Sequence, residues 1–205
     1  MTEVEAVGGA EMEPLQRVFA MMGEPDARYA DPDAWNRLEE ELGLALPEDY
    51  KTLVDAYAPI QINGHLHLEH PAAPGLGLSS FMAQTVEAFT GTTWDEDVLC
   101  PGFESTGPLF GGEKGMVPLC STDRGEYVFL APGVDGEPDR LLACDGDEQD
   151  FHEYRMSFGE WLSRYLTGGD MVGPHSAAFY PGPLLMERWP AGQQSVEWYG
   201  PERGM

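Results

Sequence analysis

The chain has 205 residues, 42% of them hydrophobic, which suffices for one domain with a sizeable core and excludes a disordered composition. Its 36 acids outweigh 11 Lys plus Arg, for a formal net charge of −25. A surface of that sign repels nucleic acid and anionic membranes, so neither is expected as a direct partner; a basic protein partner, or plain solubility, remains.

Residues 1–11 form an acidic, glycine-containing tail without the basic and apolar regions of a signal peptide, so none is expected. Over 12–22, Leu15, Val18, Phe19 and Met22 recur at i, i+3, i+4 and i+7 before Gly23, which predicts an amphipathic helix packed on the domain. The stretch 31–57 predicts two short helices with a sharp break. Asp31 caps the first, Pro32 suits its first turn, and Asp33 complements its dipole. Trp35, Leu38 and Leu42 share its inner face, and Gly43 ends it in a left-handed cap. Leu44 and Leu46 cross inward. Pro47 opens the second helix, with Glu48 and Asp49 in its first turn and Tyr50, Leu53, Val54 and Tyr57 on its buried face.

Within that stretch Trp35, Glu39, Leu42, Gly43, Leu46, Pro47, Asp49, Tyr50 and Lys51 resemble the signature of the SUKH superfamily, in its Smi/Knr branch named for yeast cell-wall assembly regulators. A second segment, 116–166, is similar to the same family: Met-Val-Pro-Leu, then Asp-Arg-Gly-Glu-Tyr-Val-Phe, an acidic turn, and Ser-Phe-Gly-Glu-Trp-Leu. The likeness covers residues 30–168. It implies an α+β fold and a non-enzymatic protein that binds other proteins. Bacterial members are mostly immunity proteins, which neutralise toxin domains, often nucleases.

The remaining elements follow in order. After a turn near Pro59, Leu66 and Leu68 alternate with His65, His67 and Glu69, which predicts a half-buried strand. A helix over 80–89, capped by Ser79 or Ser80, would turn Phe81, Met82, Val86 and Phe89 inward. Residues 90–114 read as a long loop over the core. Turn chemistry over 115–155 predicts an antiparallel meander with strands at 116–119, 126–131, 140–144 and 151–155. Ser157 begins a capping box for a helix with Trp161, Leu162, Tyr165 and Leu166 on its inner face. Residues 170–205, rich in proline and aromatics, read as an irregular extension packed across the domain. The expected organisation is a tail and helix over 1–25, a SUKH-like domain over 26–169, and the extension over 170–205. The expected fold class is α+β: a single domain with N-terminal helices on a mostly antiparallel sheet.

Three patterns carry possible chemistry. His65, His67, Glu69 and His70 include two histidines and a carboxylate on one strand face, a set that can hold zinc, but the sequence fixes no further ligand. An exposed polar strand face explains the same residues. The run beginning Asp145-Gly-Asp147 starts like a calcium loop, yet Asp150 and Met156 occupy positions that an EF-hand gives to Gly and Glu. No Gly-x-Ser-x-Gly, P-loop or Gly-x-Gly-x-x-Gly occurs. Cys100, Cys120 and Cys144 form no Cys-x-x-Cys and fit inert thiols in a reducing cytoplasm. No catalytic residue, metal or cofactor is therefore expected.

The third pattern is the acidic run of Asp135, Glu137, Asp139, Asp145, Asp147, Glu148, Asp150 and Glu153, set against Arg140 and His152 and carried by hairpin turns. Projected along one sheet edge, it can imitate nucleic-acid phosphates and fill the basic cleft of a nuclease. A charged edge that discourages aggregation explains it equally. Trp94, in the long loop, and Trp189 and Trp198, in the C-terminal extension, are the expected aromatic anchors of a docking surface. The function expected from residues and resemblance together is a cytoplasmic immunity protein that binds a basic toxin domain. Alternatives are a scaffold or regulatory protein-binding module, and a metal-dependent hydrolase built on the His65 to His70 cluster.

Overall fold

A computed structural model describes residues 12–75, 77–95, 98–133, 136–145, 150–188 and 196–203. Among them are five helices and eight strands. In order these are α1 (Pro14–Met22), α2 (Pro32–Leu42), α3 (Glu48–Tyr57), β1 (Ile60–Ile62), β2 (Leu66–Leu68), α4 (Leu78–Thr90), β3 (Val117–Thr122), β4 (Tyr127–Ala131), β5 (Arg140–Cys144), β6 (Phe151–Tyr154), α5 (Phe158–Leu166), β7 (Leu185–Arg188) and β8 (Glu197–Tyr199). The strands form one antiparallel sheet in the order β6-β5-β4-β3-β2-β1-β7-β8, so the fold is α+β.

Local chemistry explains most boundaries. Asp31 accepts a hydrogen bond from the Asp33 amide at 3.0 Å, and Gly43 closes α2 at φ 71°. Ser157 caps α5 by accepting from the Glu160 amide at 3.3 Å. The start of α4 differs from the sequence expectation. The helix begins at Leu78 behind Gly77, and no serine caps it; the Ser79 hydroxyl instead donates to Glu41 at 3.0 Å. The hairpin joining β1 to β2 is new. Asn63 and Gly64 both take positive φ, 52° and 65°, at the centre of a turn that the His65 amide closes on the Ile62 carbonyl at 2.9 Å; with Ile62 paired to Leu66, three residues join the strands.

Around β4 and β5 the sheet is covered on both faces. Val128, Leu130, Leu141 and Ala143 pack with the helical residues Trp35, Tyr50, Leu53, Phe158 and Trp161 in the main core. The alternate residues Phe129, Ala131, Leu142 and Cys144 face a second cluster with Cys100, Phe103 and Met116. The long loop after α4 therefore forms a layer of its own, which is why every residue of β5 is buried. Pro118 is tolerated in the interior strand β3 because the ladder with β4 slips there, leaving Leu119 over, and the Tyr50 hydroxyl donates to the Leu119 carbonyl at 2.9 Å.

α1 packs against α5 and buries Val18 and Met22. The segment after α5 is irregular for much of its course, but it also extends the sheet. β7 pairs with β1, and Asn63 bonds Leu185 through both its backbone amide, at 2.7 Å, and its side chain, at 2.9 Å. Leu184 and Met186 are fully buried. Composition alone gave no sign of these two strands.

Candidate functional site

Of the signature residues of the first helix pair, Trp35, Leu46 and Tyr50 are buried, and several polar ones are bonded to the chain itself. Glu39 accepts from the Leu46 amide at 2.8 Å and from Lys51 Nζ at 3.0 Å, which closes the corner between α2 and α3. Trp35 Nε1 donates to Asp55 Oδ1 at 2.8 Å, and His70 Nε2 lies 2.9 Å from the same oxygen. Asp49 accepts from the Gly159 amide at 2.6 Å, joining the first turns of α3 and α5. These groups are engaged with the chain itself, so the motif marks a brace.

The histidine cluster is not gathered into one site. His65 lies ahead of β2, at the end of the hairpin, and is buried. Its Nδ1 bonds Asp123, its Nε2 stands 3.7 Å from Glu126, and its ring stacks on Tyr165. His67 Nε2 sits 2.7 Å from the Gln61 side-chain amide. His70, fully buried, turns the other way to Asp55 and also accepts from the Ala72 amide at 3.0 Å. Burial holds both His67 and His70 below their ordinary value of 6.5, and it raises Glu69. Among the described residues, no three His, Cys, Asp or Glu side chains stand together as metal ligands. The three cysteines are free and buried, and burial pushes the Cys100 and Cys144 thiols up to about 12 and Cys120 higher still.

The acidic run is divided in two. Its hairpins precede and follow β5, whose five residues span about 13 Å at about 3.3 Å each, so the turns leave opposite ends of the strand. Glu137 and Asp139 lie at one end. Asp145 and Asp150 lie at the other, joined by an Asp145 N–H to Asp150 carbonyl bond of 3.2 Å. Asp135, Asp147 and Glu148 fall outside the described residues, as does Trp189. Trp94 belongs to the Asp150 end on the second face of the sheet. It is half-buried, donates to the Phe89 carbonyl at 3.2 Å, stacks on Phe110 and lies 5.4 Å from Phe151.

Glu137 and Asp139 also stand on the rim of an open cleft of about 980 Å³ between the α2–α3 corner, the start of α5 and the β4–β5 hairpin. Leu46, Leu130 and Phe158 form its floor, with Met156 beside them. Arg140, 5% exposed, crosses beneath. Its Nε is 2.7 Å from Glu153, Nη2 donates to the Pro101 carbonyl at 2.8 Å, and Nη1 donates to the Pro132 carbonyl. Arg155 pairs with the same Glu153 at 3.0 Å and approaches Glu137 at 3.9 Å. Glu104 accepts from the Gly102 amide at 2.9 Å, and that bond holds its carboxyl below the usual range.

Five carboxylates thus line the cleft against two guanidinium groups, and Glu153 engages both cations. The cleft brings Asp49 and Glu104 to Glu137, Asp139 and Glu153, two acids that lie outside the run. Arg140, a base within the acidic run, was the signal that a buried counter-ion lay nearby.

The chain matches the family described as SMI1 / KNR4 family (SUKH-1) over residues 29–164, well over half of its length. Among curated proteins and among solved structures, none matches it. No helix among the described residues is long and apolar enough to cross a membrane.

Proposed function

Since the chain belongs to the SMI1/KNR4 family (SUKH-1), we propose that it is a non-enzymatic immunity protein that binds a cognate, basic toxin domain and neutralises it. The toxin class that best fits the charge is a nuclease, whose active cleft is basic because it holds phosphates. Carboxylates displayed by the hairpins around β5 occupy that cleft in place of nucleic acid. The observation that carries this reading is the uncompensated acid of the surface. With a net charge of −25, the chain lines one cleft with five carboxylates while its two local arginines are already paired to Glu153. Such a field accelerates encounter with a basic partner by roughly 10–10³-fold and weakens as salt rises. Trp94 and the acids Glu137, Asp139, Asp145 and Asp150 are the contacts this reading favours, with Asp135, Asp147 and Glu148 beside them in the sequence.

Affinity capture on the immobilised chain from a lysate of its source cells, washed at low and then high salt, tests the proposal. One dominant basic protein bearing a toxin domain, released by salt, is the expected result. A set of housekeeping proteins, or no protein from cells known to express toxin domains, overturns it and favours a scaffold role.

A further inference from the structure

We infer that the cleft beside Glu137 and Asp139 seats a protruding, arginine- or lysine-bearing segment of a basic protein partner. This rests on the reading of the chain as a binder of such a protein, and it fixes which end of β5 does the binding. The cleft is apolar below, where Leu46, Leu130, Met156 and Phe158 meet it, and acidic above, where Glu104, Glu137 and Asp139 stand on its rim. At about 980 Å³ it has room for several side chains at once. That layering suits a long cationic side chain, whose aliphatic stem lies on apolar surface while its charged head reaches a carboxylate. An arginine fork pairs with a carboxylate through two parallel hydrogen bonds, so the rim favours a guanidinium over a point charge.

Charge excludes the other occupants. An anion finds no free cation here: Glu153 engages Arg140 and Arg155, and the carbonyls of Pro101 and Pro132 take further Arg140 donors. The first turn of α5 offers an anion little, because Asp49 takes the Gly159 amide and Ser157 takes the Glu160 amide. A second copy of the chain brings another −25 against the same rim. A cationic segment alone gains from both the floor and the rim.

The test uses the whole ¹⁵N-labelled protein titrated with the peptide acetyl-Gly-Arg-Leu-Arg-Gly-amide, and with acetyl-Gly-Glu-Leu-Glu-Gly-amide as its control. Saturable shifts are expected at Gly102, Glu104, Asp139 and Ser157, smaller ones at Asp145 and Asp150, and none with the acidic peptide. The double variant Glu137→Gln, Asp139→Asn keeps the size of two exposed side chains and one carbonyl oxygen on each, enough for position 139 to go on accepting the Gly133 amide, so it retains the fold; it is expected to weaken the arginine peptide about tenfold. Equal shifts at Asp145 and Asp150, or an affinity indifferent to the double variant, overturn the inference. A chain that captures a toxin domain while its cleft amides ignore the peptide overturns this inference alone. A chain that takes the peptide in its cleft but captures no toxin overturns the proposed function alone.

Discussion

Asp49 shows how a single residue can look functional and be structural. It lies 110 positions from Gly159 in sequence, yet its carboxylate accepts that amide at 2.6 Å. A Cβ at position 159 would stand 3.3 Å from the same oxygen, so glycine allows the close approach. The contact satisfies an N–H in the first turn of α5 with a negative charge, where the helix dipole favours one. Hydrogen bonds to charged groups contribute about 1.5–3 kcal/mol, so Asp49→Ala is expected to lower the unfolding free energy by about that amount, and Asp49→Asn by less. Urea denaturation monitored by tryptophan fluorescence measures both. Unfolding free energies equal to the parent's for Asp49→Ala would show that the brace is not where the signature residues act.

At the level of elements, the last strands decide how far the domain extends. Met186 in β7 is fully buried, and β7 gives β1 its outer partner. Truncating a buried methionine to alanine costs about 2–5 kcal/mol, so Met186→Ala is expected to destabilise the whole molecule in one cooperative transition. A change under about 0.5 kcal/mol, the usual result for surface positions, would make 185–199 an appended segment instead. The sequence announced the helices and the meander because their signals are local: Asp31 and Ser157 at caps, Gly43 at a stop, Asp123-Arg124-Gly125 at the turn before β4. Other features depend on distant partners and left no comparable trace. β7 has only four residues, and its place is set by Asn63, more than a hundred positions earlier. Asn63-Gly64 is a turn signal, but the turn was expected near Pro59, since β1 between them, with three residues, is too short to show a period. The acidic run was legible as residues but not as a surface, since only the length of β5 shows that its two halves leave opposite ends of the strand. The cleft was not legible at all, because Leu46, Glu104, Asp139 and Phe158 come from four separate parts of the chain.

For the molecule as a whole, charge and burial act in opposite directions as the pH falls. A net charge of −25 repels itself, and protonation or salt relieves that repulsion. His67 and His70 oppose it. Burial lowers their folded values below 6.5, so between that value and the folded ones the unfolded chain binds more protons than the native chain. Stability from these two groups is therefore present above about 6.5 and is lost as the pH falls below it. Glu69, raised from 4.5 by burial, has the reverse sign and begins to offset the loss only as its own carboxyl protonates. In 1 M salt, where the screening length is about 3 Å, self-repulsion is suppressed and the histidines dominate between pH 7.5 and 5.5. The unfolding free energy is expected to fall across that window; a rise would mean that the two imidazoles gain, on folding, more as cations than burial takes away.

Binding at an acidic surface and neutralisation of a toxin are separate properties, and a scaffold would have only the first. Growth of cells expressing the captured toxin domain, with and without this chain, separates them most directly. Restored growth together with a stoichiometric complex is the outcome required of an immunity protein, and it should be lost at high salt in the purified pair. A complex that forms while the cells still die would contradict neutralisation and leave the chain as a protein-binding module with another task.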